Sequence, residues 1–94
     1  MTYLFLMGDK VIAATILYNL RRKKTIGGKH THFDTLKRGF PGHLEKDVGK
    51  IAKVLIKKGW IISKPTSYGL QVTLNKEKII EIEKFIFDTM SFSF

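Results

Sequence analysis

Between residues 42 and 59 the chain reads GHLEKDVGKIAKVLIKKG, and its apolar positions recur at helical spacing. Leu44, Val48, Ile51, Ala52, Leu55 and Ile56 share one side of such a helix and predict its core face. His43, Lys46, Lys50, Lys53 and Lys57 share another side, separated by three, four, three and four residues. Pro41 suits the first turn, where its missing N–H costs nothing, and Gly59 suits the position just past the end. The pattern predicts a helix over 42–58 with a line of cations along it.

Upstream, Asp9 is placed to cap a helix over about 10–24, with Val11, Ile12, Ile16, Leu17 and Leu20 inward. Arg21, Arg22, Lys23 and Lys24 set cations at its C-terminus, and Gly27-Gly28 is expected to end it. "KHT" (29–31) has room for only a minimal extended segment. Thr31 is placed to cap a short second helix over about 32–38, with Phe33 and Leu36 inward, and Gly39 breaks it. Downstream, "WIISK" (60–64) is rich in β-formers, and "LQVTL" (70–74) alternates as a half-buried strand does. The turn chemistry of "PTSYG" pairs them as a hairpin. Asn75 then caps a helix over about 76–87, with Ile79, Ile82 and Ile86 on one face.

The element order resembles a winged helix-turn-helix domain. "HTHFDTLKRGFP", "GHLEKDVGKIAKVLIKKGW" and "IISKPTSYGLQVTL" carry the resemblance, which covers about residues 10–75. It looks most like the small single-domain winged-helix proteins of archaea and their mobile elements. The "GFP" turn (39–41) departs from the usual helix-turn-helix turn. The resemblance implies an α+β fold in a single domain (1–94): a three-helix core, a β-hairpin wing, and a C-terminal helix and tail over 76–94. It further implies a DNA-binding protein, in the manner of a transcriptional regulator, with helix 42–58 in the major groove and the 64–69 wing on the backbone.

Charge strengthens that expectation from a separate direction. The 94 residues carry a formal +9, unevenly spread. Residues 20–64 hold 13 Lys/Arg and 3 Asp/Glu, a balance of +10, while the remainder holds 4 Lys and 5 acids, a balance of −1. A polyanion is the natural partner of such a segment, the bland alternative being a solvated lysine-rich surface. The chain has no cysteine, which excludes disulfides and thiolate-bound metals and fits a cytoplasmic protein. "YLFLM" (3–7) is far too short to span a bilayer and lacks the features of a signal peptide.

Double-stranded DNA is the expected partner, met by His43, Lys46, Lys50, Lys53 and Lys57 of the helix and by Lys64, Ser67 and Tyr68 of the wing, with Thr66 beside them. Lysine is a point charge suited to phosphates, whereas bases are read better by Arg, Asn or Gln, none of which lies in 42–58. The helix thus favours affinity over sequence discrimination. His43 either reaches a base edge or sits at the surface, and Tyr68 either contacts a sugar or covers the hairpin. Arg21 to Lys24 and Lys29 either flank the nucleic acid or lie on the far side. An RNA partner and a protein-docking module remain the alternative readings.

Catalysis finds little footing in the sequence. His30, His32 and His43 would need a carboxylate such as Asp34 to complete a metal site. "IGGKHT" fails the phosphate-loop pattern, since Lys23 and His30 stand where Gly and Ser/Thr are required. Glu45 and Asp47 are two apart and diverge on a helix, so they form no acid/base pair. No enzyme and no cofactor are expected. The apolar ends, "YLFLM" and Phe85, Ile86, Phe87, Met90, Phe92 and Phe94, suggest either a homodimer interface or a fold-back onto the core.

Overall fold

The computed structural model describes residues 7–90. Its first helix, α1 (Met7–Arg22), buries Ile12, Ala13, Ile16, Leu17 and Leu20. The helix already includes the two residues before Asp9, so that residue lies within α1 rather than capping it. The helix also ends earlier than the glycine pair suggests. Lys24 takes a left-handed φ of 57°, and Thr25 N–H donates to Leu20 C=O at 2.9 Å. That six-to-one closure is a Schellman cap built on a lysine.

The region of the second helix departs most from expectation. Thr31 does not cap a helix; Thr31–His32 forms strand β1, which overlaps the expected extended segment "KHT" (29–31) only at Thr31. A five-residue 3₁₀ turn, Phe33–Lys37, follows in place of an α-helix over 32–38, with no side-chain cap and with Leu36 buried. Phe, Asp and Thr are weak helix formers, and so short a segment cannot recover the cost of nucleating an α-helix. The core therefore contains α1, this 3₁₀ turn and the next helix.

A second 3₁₀ turn, Gly42–Leu44, leads into α2 (Glu45–Lys58), which buries Val48, Ile51, Ala52 and Leu55. Gly59 closes it at φ 88°, with Trp60 N–H donating to Leu55 C=O at 3.1 Å. Strands β2 (Ile61–Thr66) and β3 (Gly69–Leu74) pair antiparallel from Ile61↔Leu74 to Thr66↔Gly69. The connecting turn is thus only Ser67-Tyr68, shorter than "PTSYG". Pro65 is accommodated within β2 because that strand lies at the sheet edge, in the order β1-β3-β2. Thr66 Oγ1 donates to Gly69 C=O at 2.8 Å and accepts from Tyr68 N–H at 3.2 Å, which tightens the tip.

Ile61, Val72 and Leu74 turn one sheet face into the core with the apolar faces of α1 and α2. Thr73 is buried, and its hydroxyl has no partner among the described residues. Asn75 caps the final helical segment as its type predicts, its Oδ1 accepting from Glu77 N–H at 3.0 Å. That segment is a 3₁₀ turn, Lys76–Lys78, followed by α3 (Ile79–Met90). Ile82 and Ile86 pack α3 into the core, and Arg21 Nε donates to Glu83 at 2.6 Å, joining α1 to α3. The described residues form a small α+β fold of three α-helices and a three-stranded antiparallel sheet. No described helix is long and apolar enough to cross a membrane.

Candidate nucleic-acid interface

The core contacts of α2 set the direction of its other face. At about 100° per residue, Lys46, Lys50, Lys53 and Lys57 project roughly 140–200° away from Val48, the centre of the buried side. All four are exposed, and none is ion-paired among the described residues. The lysines therefore form the outermost ridge of the helix. His43 is exposed too, but stands in the preceding 3₁₀ turn rather than on α2. Lys58 is not part of the ridge: it is exposed on another side, its Nζ 4.9 Å from the centre of the Trp60 ring in a cation–π contact.

In the hairpin, Lys64, Thr66, Ser67 and Tyr68 are exposed. Tyr68 is 84% exposed, so it projects from the turn rather than covering the hairpin. Cross-strand register also gathers a row that chain spacing does not reveal. His32 and Lys64 both pair with Gln71, one from each side. Gln71 Nε2 lies 3.3 Å from His32 Nδ1 and 3.4 Å from Nε2. Residues 39 apart in sequence meet here, and the only sequence signal is that Gln71 occupies a polar position in an alternating strand.

The second basic cluster divides. Arg21 is committed to Glu83, whereas Arg22, Lys23, Lys24 and Lys29 are exposed. Lys23 and Arg38 border a shallow cleft of about 70 Å³ whose lining includes Asn19, Thr25 and Thr35. That volume is far below the few hundred Å³ of a small-molecule site.

The three histidines are dispersed. His30 Nδ1 lies 3.2 Å from Gly28 C=O, His32 faces Gln71, and His43 stands at the start of the α2 segment. Among the described residues no three His, Cys, Asp or Glu side chains gather as a metal site would need.

The apolar end residues are partly consumed by the fold itself. Ile86 is fully buried, and Phe85 packs edge-on against Trp60 at 5.4 Å. Met90 packs against the core, which leaves Phe87, 49% exposed, from that set. Ile80, not foreseen as surface, is 75% exposed on the same helix. Tyr3, Leu4, Phe5, Leu6, Phe92 and Phe94 lie outside the described residues.

No family model, curated protein or solved structure matches this chain.

Proposed function

We propose that this protein binds double-stranded DNA as a winged-helix regulator, presenting the α2 ridge to the duplex with the β2–β3 hairpin alongside. The observation that carries the reading is the ridge itself. Four lysines line up opposite the core, with no carboxylate among the described residues paired to any of them. Holding like charges in a row costs free energy in the absence of a partner, and a polyanion offsets that cost. The exposed Tyr68 at the hairpin tip and Lys64 on β2 suit a neighbouring stretch of backbone. The reading includes a homodimer, supported by the exposed Ile80 and Phe87 on α3.

The test is a salt titration of the full chain on duplex DNA and on duplex RNA of equal length. Neutralising about six phosphates predicts a loss of ~10³-fold in affinity between ~50 and ~200 mM salt. Tighter binding to DNA is expected; preference for RNA, whose wide minor groove presents 2′-hydroxyls, would redirect the reading. A protein-docking module would bind neither and show no salt slope. Reversing Lys46 and Lys50 to Glu should abolish most binding. Reversing Lys76 and Lys78, exposed on the 3₁₀ turn before α3, changes net charge equally and should cost far less.

A further inference from the structure

We infer that α2 meets the duplex ridge-first, its lysines on the phosphates of one strand, and does not enter the major groove. The inference rests on the DNA reading above. A helix about 10–12 Å across fills a groove about 12 Å wide, so an inserted helix offers its outermost line to bases and its two flanks to phosphates. On α2 these roles are reversed. The outermost line is Lys46, Lys50, Lys53 and Lys57, flexible point charges that suit phosphates and are poorer than Arg, Asn or Gln at telling bases apart.

The flanks are worse suited still. One carries Glu45, Gly49 and Ile56; the other carries Asp47, Val54 and Lys58. Inside a groove, Glu45 and Asp47 would face the phosphate walls and be repelled. Lys58, the sole flank cation on the helix, is held over Trp60. The neighbouring 3₁₀ turn brings Lys37 alongside Gly49, but its Nζ lies 3.8 Å from Asp34. Neither flank thus offers a cation free of an intramolecular contact among the described residues.

Ridge-first contact avoids both faults. The line from Lys46 to Lys57 runs about 16 Å at about 1.5 Å per residue. One DNA strand presents a phosphate about every 3.4 Å of axial rise while winding around the axis, so a straight ridge of this length can meet about two or three of them. The carboxylates then point sideways, away from the strand. Contacts to phosphates alone position a protein without conveying sequence, so this geometry makes binding nearly indifferent to base order.

The experiment compares two duplexes of one sequence, one plain and one with its cytosines replaced by glucosylated 5-hydroxymethylcytosine, which fills the major groove with sugar. Anisotropy titrations of the full chain are expected to give affinities within threefold of each other. The Lys46→Glu/Lys50→Glu variant should lose at least tenfold on both. A loss beyond threefold on the glucosylated duplex overturns the inference and leaves DNA binding intact, because α2 then needs the open groove. Equal affinities with an unimpaired variant also overturn it, since α2 then makes no contact. Failure of the chain to bind either duplex removes the DNA reading and the inference together.

Discussion

Lys24 and Gly59 play the same backbone part at the ends of α1 and α2. Each adopts a left-handed φ, 57° and 88°, and each is followed by an N–H that reaches back five residues. Glycine accepts that conformation freely, whereas a side chain on Lys24 crowds the adjacent carbonyl. The two sites should respond to substitution with opposite sign. Gly59→Ala is expected to cost about 1–2 kcal/mol, lowering Tm by roughly 4–8 °C per kcal/mol in a domain of this size. Lys24→Gly should raise stability by about 0.5–1 kcal/mol, because Lys24 is exposed and loses only strain. Thermal unfolding followed by circular dichroism reads both, and a fall in Tm for Lys24→Gly would contradict this account of the α1 cap. The glycine was visible in the sequence as a helix stop. The lysine cap was not, since nothing in its residue type announces a positive φ.

Between elements, Asn75 works in two directions. Its Oδ1 accepts from Glu77 N–H at the entry to the last helical segment, and its Nδ2 donates to Gly59 C=O at 2.9 Å. One side chain thereby fixes the end of β3, the start of the α3 segment and the exit from α2. Asn75→Ala should cost about 2 kcal/mol, combining a lost cap with a carbonyl left short of its donor. Asn75→Asp keeps the acceptor and loses the donor, so it should cost about half as much. Urea denaturation distinguishes the two. Equal losses would mean that the bond to Gly59 contributes nothing. The capping half of this role followed from Asn preceding a helical pattern; the half that reaches Gly59 depends on β2 and β3 pairing back to place residue 75 beside the end of α2.

Across the whole molecule, most charges of the C-terminal helical segment are ion-paired, while the ridge lysines of α2 have no ion pair among the described residues. Lys78 lies 3.8 Å from Glu81, Lys84 lies 3.1 Å from Asp88, and Glu83 binds Arg21. The surplus of residues 20–64 therefore remains on the surface as the α2 ridge and the Arg22 to Lys29 cluster. Ile80 and Phe87, seven apart on α3, share a side of that helix and are exposed. If a second copy covers them, sedimentation at micromolar concentration should give a species of about 22 kDa, twice the 10.8 kDa chain. Ile80→Glu/Phe87→Glu should return it to the single-chain mass with the fold intact, because neither side chain belongs to the core. A native chain sedimenting as a monomer would remove the dimer. Such a dimer would set two α2 ridges on one duplex, as two-fold DNA-binding proteins do.

Periodicity and punctuation were enough to read α2, the β2–β3 hairpin and the final helical segment from the chain alone. Their signals are local: apolar residues repeating at the helical or strand period, with Gly59 and Asn75 at the boundaries. The cation line was legible for the same reason, because residues three and four apart on a helix share a face whatever lies around it. Besides the Asn75 bond to Gly59, other features were decided only by tertiary structure. The segment over 32–38 became a strand and a 3₁₀ turn, since Thr31 and His32 gain more from pairing with Val72 and Gln71 than from starting a helix too short to be stable. Phe85 and Ile86 went into the core while Ile80 and Phe87 stayed outside, because the packing of α3 on α1 selects which part of a helix apolar on several sides is covered. The row His32–Gln71–Lys64 arose from register, and register is set where distant strands meet.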